Sequence, residues 1–298
     1  VKNPLADFLH QQICAADEGG MGEKMKTLIT IITACAAICA VIHTHIHTAC
    51  ADTGLLWLVN KENSLPADFH PENLCEFKGV KLSLPAKEAF IKMLAAMESD
   101  GIYGLRLQSA YRSYEYQRVI FDQRVKELMA KGQNREEAVA NASHSIQLPG
   151  ASEHQLGLAL DVSIDGKLSQ KFATTDAGRW LEENCYKFGF IIRYPQAKTD
   201  ITHIIYEPWH LRYVGIPHAT IIKEESLTLE EYHRYLANIP MYVVWGDGYY
   251  FLVRYADILL ETVLPETAEH NTEISRATPA RNSGFIITQR KMKGTERS

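Results

Sequence analysis

Two short stretches of this 298-residue chain concentrate side chains that can bind a metal and move a proton. The first reads Ser152-Glu153-His154-Gln155-Leu156-Gly157-Leu158-Ala159-Leu160-Asp161, and the second Glu207-Pro208-Trp209-His210. His154, Asp161 and His210 offer two imidazoles and one carboxylate, a donor set that suits zinc and leaves a fourth position for water. Gly157 lets the chain turn from a loop bearing His154 into a strand bearing Asp161. Glu207 lies three residues before His210 with a proline between them. In an extended or turned segment its carboxylate comes near the metal without being an obvious ligand, the placement a general base needs. Each residue alone has a plainer use: a lone histidine is more often packed or at the surface, Asp161 can cap a turn, and Glu207 can face solvent. That plainer account must hold for four residues in two motif-shaped segments at once, and on that ground it gives way to the metal reading.

The pattern SxHxxGxAxD followed by ExxH resembles the LAS metallopeptidases, and the wider chain resembles VanY-type D-alanyl-D-alanine carboxypeptidases. The likeness starts at Leu58-Val59-Asn60-Lys61, passes through Ser109-Ala110-Tyr111-Arg112-Ser113 and reaches Leu229-Glu230-Glu231-Tyr232. Ala110 stands where the family often has glycine. The resemblance implies His154, Asp161 and His210 as Zn2+ ligands and Glu207 as catalytic base. It also implies that Arg112 helps bind substrate and stabilises the tetrahedral intermediate. A guanidinium can hold a terminal carboxylate bidentately, and the same cation near a scissile carbonyl stabilises an oxyanion. Ser152 is a second contact to that carboxylate or a turn residue, and Gln117, one helical turn past Ser113, faces the pocket.

The implied reaction is hydrolysis of the terminal D-Ala from a peptidoglycan stem peptide by a D,D-carboxypeptidase. An L,D-carboxypeptidase and a D-Ala-D-Ala dipeptidase are the alternatives of the same fold. A non-catalytic wall-binding module has no use for Glu207 or Arg112, and a serine acyl-enzyme would require an SxxK motif that the sequence lacks. Trp209 walls the site or belongs to the core. His203, seven residues before His210, either supports a ligand from behind or, on the plainer reading, is an exposed residue where a loop enters a strand. His43, His45 and His47 alternate but fall in or after an apolar leader, and are not read as a metal site.

These side chains need a scaffold, and the hydrophobic pattern supplies one. Residues 85–99 read as a helix, with Phe90, Met93, Leu94 and Met97 at i, i+3, i+4 and i+7, Pro85 in the first turn and Gly101 beyond the end. Residues 105–109 alternate as a strand does. A second helix opens at Ser113 and runs to residue 131 before Gly132, and a short third covers 134–142. Beyond Pro149-Gly150, residues 158–163 form a buried strand. Residues 176–188 form an amphipathic helix through Trp180, Leu181 and Phe188, stopped by Gly189. Strands at 190–193 and 204–214, a helix at 229–236 and a hairpin over 242–253 around Gly246-Asp247-Gly248 complete the pattern. From about residue 265 the chain is polar, aperiodic and basic, and reads as disordered. The fold class is α+β: a small antiparallel sheet flanked by helices, LAS metallopeptidase-like, with a C-terminal hairpin extension.

A net charge of -5 argues against nucleic acid as a main partner, and 46% hydrophobic against 22% charged residues is ordinary for a soluble protein. Glu23-Lys24-Met25-Lys26 precedes an uncharged run at 28–42, shorter than the about 20 residues of a membrane span. That run reads as the core of a secretory signal, with small residues Ala49-Cys50-Ala51 at a cleavage site. An uncleaved anchor, or a lipid on Cys50, are the other readings. The organisation that follows is an upstream extension at 1–20, a signal peptide or anchor at 21–51, and a lead-in at 52–80. A catalytic domain at 81–239, a hairpin extension at 240–264 and a disordered tail at 265–298 complete it. The expected location is extracytoplasmic, at a bacterial cell envelope, with membrane contact only through an uncleaved leader. The six cysteines form no CxxC pair, which excludes a zinc ribbon, and Cys185 reads as a buried free thiol.

Overall fold

The computed structural model describes residues 54–256, 272–278 and 284–292. The upstream extension, the leader and its histidines lie outside the described residues. Among the described residues no helix is long and apolar enough to cross a membrane.

The site is positioned by a four-stranded antiparallel sheet of order β3-β4-β6-β5. Its strands are β3 Arg106–Ser109, β4 Ala159–Ser163, β5 Phe190–Ile192 and β6 His210–Tyr213. β4 is buried at all its positions, as expected of a central strand covered on both faces. The pairing register sets Asp161 opposite both His210 and Ser109, so two residues distant in sequence meet because their strands do. A two-stranded hairpin of β1 Leu74–Phe77 and β2 Val80–Ser83 precedes helix α1, Leu84–Ser99. The segment read as an extended lead-in carries a strand, β1. α1 buries Ala86, Phe90, Met93 and Met97, and Phe90 meets Phe190 edge-on.

Helix α2, Tyr114–Ala130, starts where the sequence places its cap: Ser113 Oγ accepts from Tyr116 N at 3.2 Å. It pairs with α3, Arg135–Ser143, opened by an Asn134–Glu137 capping box. The two share a small core of Phe121, Val125, Leu128, Ala138 and Ala142. α4, Asp176–Asn184, tightens into a 3-10 turn over Cys185–Phe188 and stops at Gly189, φ 82°. Cys185 is a free, buried thiol, pushed up to about 12 by burial. Helices α5 Ile216–Glu224 and α6 Leu229–Ala237 follow the sheet. The periodicity reading missed α5, whose start is marked by Gly215 and a proline in its first turn.

The C-terminal region departs most from expectation. The hairpin is present as β7 Tyr242–Trp245 and β8 Tyr249–Ala256, but it belongs to a second four-stranded sheet of order β7-β8-β10-β9. The other strands are β9 Thr272–Arg276 and β10 Phe285–Met292, inside the stretch read as a disordered tail. Val244, Val253 and Ile286 join the main core. His218 on α5 ties the sheet in, Nδ1 to the Tyr232 hydroxyl at 2.7 Å and Nε2 to Thr288 Oγ1 at 3.3 Å.

Candidate metal centre and catalytic cleft

His154 sits in a 3-10 turn, Glu153–Leu156, that ends on Gly157 with φ 70°. A Cβ at Gly157 would stand 2.6 Å from Leu74 Cδ2 and 3.2 Å from Ser83 N, beneath the incoming hairpin. Only glycine suits both the left-handed backbone and that close approach. Gly157→Ala is therefore expected to cost about 1–3 kcal/mol in backbone strain alone. At about 2–4 °C per kcal/mol for a domain of this size, calorimetry should read a Tm lower by several degrees. An unchanged Tm would show that the turn accommodates a side chain.

Asp161 projects from the middle of β4, and His210 opens β6. All three residues are buried, and their ligand atoms lie within 4.8 Å of one another. His154 donates from Nδ1 to the Ala110 carbonyl at 2.6 Å, which leaves the Nε2 lone pair facing the cluster. The two imidazoles meet edge-on with centroids 4.9 Å apart. His210 turns Nδ1 to the cluster, 3.2 Å from Asp161 Oδ1, while its buried Nε2 makes no hydrogen bond.

Arg112 tests the donor set directly. Its Nη2 stands 2.6 Å from His154 Nε2 and 2.5 Å from Asp161 Oδ2. A cation thus sits where an imidazole lone pair and a carboxylate converge, so the cluster is built to hold positive charge. Burial and this guanidinium push His154 down to about 4, which keeps it in the neutral form a metal requires. Against the opposing effect of burial, His154 and then the Arg112 guanidinium hold Asp161 well below the usual carboxylate range. Two imidazoles and one carboxylate within reach of one point fit Zn2+.

Glu207 lies beside this cluster, with Oε2 3.7 Å from His210 Nδ1. The expected strand at 204–214 begins only at His210, because Glu207-Pro208-Trp209 makes a turn: His210 N donates to Glu207 O at 3.1 Å. That turn folds the Glu207 carboxylate back against its neighbour. Burial and the Asp161 charge push its carboxyl well above the usual range, with Arg112 opposing. A carboxylate held reluctantly ionised is a stronger base.

All of these residues line one cleft of about 850 Å³. Gln117 and Ser152 line it too, each almost fully buried. Gln117 accepts from Arg112 Nη1 at 3.1 Å and donates to the Gln147 carbonyl at 2.7 Å. Ser152 precedes the His154 turn without capping it, so its hydroxyl is not committed there. Trp209 is buried and lines the cleft. His203 does not: it is exposed, with φ 59°, at the end of a helical turn, and it lines a different cavity. That cavity is larger, about 980 Å³, yet among the described residues the cluster of metal donors lies in the smaller cleft. The sequence reading missed Tyr194, whose ring packs 4.9 Å from that of His210 and whose hydroxyl receives Gln147 Nε2 at 3.4 Å. Nothing local marks it, because only the turn after β5 brings it to the cleft.

Residues 79–216 match the VanY family model, described as D-alanyl-D-alanine carboxypeptidase. The chain is 43% identical over 177 residues to a D-alanyl-D-alanine carboxypeptidase of Enterococcus faecalis (strain ATCC 700802 / V583), covering 59% of this chain and 65% of that one. The chain thus spans just under two thirds of that relative's length. The structure of VanYB in complex with D-Alanine-D-Alanine is similar at 43% identity, with TM-score 0.55, over 60% of this chain and 97% of that one. A structure of a vancomycin resistance D,D-pentapeptidase VanY mutant with Zn(II) matches at 41% identity and TM-score 0.54, over 60% and 98%.

Proposed function

This chain belongs to the VanY family of D-alanyl-D-alanine carboxypeptidases, and from that premise we propose that it is a zinc-dependent D,D-carboxypeptidase that removes the terminal D-Ala of peptidoglycan stem peptides outside the cytoplasmic membrane. One observation carries the reading: His154, Asp161 and His210 converge within 4.8 Å in the cleft that also holds Glu207 and Arg112. His154 Nε2, an Asp161 carboxylate oxygen and His210 Nδ1 would hold the ion. Zinc there would supply Lewis acidity, which polarises a carbonyl and makes water more acidic. Glu207 takes the proton of the attacking water and returns it to the leaving amine. Arg112, steered by Gln117 and Ser109, meets the substrate's terminal carboxylate or the developing oxyanion, with Ser152 as a second donor.

Mass spectrometry of products from penta- and tetrapeptide stems, with and without a chelator, tests this. Loss of D-Ala from the pentapeptide alone, abolished by chelation, is the expected result. Cleavage of the tetrapeptide instead would make the enzyme an L,D-carboxypeptidase, and turnover that survives chelation would remove zinc from the reaction.

The role of Arg112 is separable by amidating the substrate's C-terminus. A charge-assisted contact contributes about 1.5–3 kcal/mol, or about 10- to 150-fold in kcat/KM. Arg112→Ala also disturbs Asp161 and Gln117, but that loss is common to both substrates and cancels in a double-mutant cycle. The variant should therefore lose activity on the acid and show a much smaller further loss on the amide. Equal losses on both would assign Arg112 to the oxyanion alone.

A further inference from the structure

Behind the metal cluster lies a buried set of charges that the reaction does not use. Glu153, Arg193 and Arg212 are each at most 1% exposed. Arg193 Nε donates to Glu153 Oε1 at 2.7 Å, and Arg212 Nη1 lies 3.3 Å from the same oxygen. The outer side of Arg193 is closed by Glu230, with bonds of 2.9 and 2.7 Å. Two carboxylates and two guanidiniums balance, so the group is neutral as a whole.

Its placement is what matters. Glu153 is the residue before His154, in the same 3-10 turn. Arg193 N donates to the His210 carbonyl at 3.1 Å, and the next residue, Tyr194, packs on the His210 ring. Arg212 follows His210 by two in β6, so the two side chains share a face of the strand. Arg212 Nη2 also donates to the carbonyls of Gly54, Leu55 and Trp57, which binds the entering chain to this point. One carboxylate therefore joins the segments that carry His154, Tyr194 and His210. Stability alone gives a poor reason for it, because apolar residues of similar volume commonly serve a core as well as buried ions do. What ions add is fixed geometry: a shift of Glu153 would take from buried Arg212 its carboxylate partner and leave Arg193 held by Glu230 alone.

We propose that Glu153 is a positioning residue whose salt bridges to Arg193 and Arg212 fix the His154 turn against the strands bearing Tyr194 and His210, and so set the geometry of the metal site. This rests on the zinc reading above. The test compares wild type, Glu153→Gln and Val125→Ala, the last a loosening of the separate α2–α3 core. Zinc affinity is measured by chelator competition, the visible spectrum is recorded with Co2+ in place of zinc, and Tm and kcat are followed beside them. Glu153→Gln should lose about tenfold or more in zinc affinity, toward the 10- to 100-fold typical of residues that orient ligands. Its cobalt spectrum should shift, and kcat should fall more than KM rises. Val125→Ala should lower Tm while leaving affinity and spectrum at wild-type values. Wild-type affinity and spectrum in Glu153→Gln would overturn the proposal, as would the same zinc loss in Val125→Ala. If Glu153→Gln does not fold, Glu153→Asp, which keeps the charge but withdraws it by one methylene, takes its place under the same two criteria. A wild-type chain that binds no zinc would instead overturn the zinc reading itself.

Discussion

Glu207→Gln is expected to keep the fold and the bound zinc while lowering kcat by about 10² to 10⁴, the range for loss of a positioned general base. The amide preserves the volume of the side chain and its place in the turn before His210. The carboxylate makes no hydrogen bond to another described residue, and His210 Nδ1 lies 3.7 Å from it. Substitution therefore strands no buried donor, which is the usual source of large structural damage. It also removes a charge that burial and Asp161 both disfavour, so Tm should not fall. Steady-state kinetics, elemental analysis and calorimetry on one preparation check all three statements. Near-normal turnover in a variant with full zinc would mean that another group takes the proton. Loss of zinc would instead make Glu207 a ligand, and the cluster would need redrawing.

The parts of this site that could be read from sequence are those whose chemistry is local. His154, Gly157 and Asp161 share one turn-and-strand unit, and Glu207 and His210 share one turn, so each group is set by a few consecutive residues. Arg112 and Gln117 flank a recognisable helix cap at Ser113, and their contact follows from the start of α2. Residues that reach the site only through strand register left no such mark. Tyr194 and Arg193 follow a three-residue strand, and Glu153 reads as one more polar residue until Arg193 and Arg212 enclose it. The C-terminal strands escaped notice for a different reason. β10 buries Ile286, Ile287, Thr288 and Gln289 in succession, so it lacks the alternation of a half-buried strand, and two of the four are polar. His203 is exposed, as its plainer reading has it, but it ends a helical turn instead of leading into a strand, and it lines another cavity.

Asp161→Ala should remove most of the bound zinc, and activity with it. A site with three protein ligands that loses its single carboxylate keeps only two imidazoles, too few to hold zinc in competition with water and buffer. The structure adds a second expectation that does not depend on the metal. Asp161 is buried and pairs with Arg112 at 2.5 Å, so removing it leaves a largely buried guanidinium short of its counter-charge. Breaking one side of a buried ion pair costs about 3–5 kcal/mol. The cost here should fall at or below the low end, because Arg112 stays 14% exposed and keeps its bonds to Ser109 and Gln117. Even about 2 kcal/mol lowers Tm by about 4–8 °C at this chain length. Asp161→Ala should therefore melt earlier than wild type when both are stripped of metal, whereas Glu207→Gln should not. Adding Arg112→Ala to Asp161→Ala should recover part of that difference, since the double variant buries no unpaired cation. Stoichiometric zinc in Asp161→Ala would show that Asp161 is not a ligand. Equal melting of the two metal-free proteins would show that its pairing with Arg112 contributes nothing to the fold.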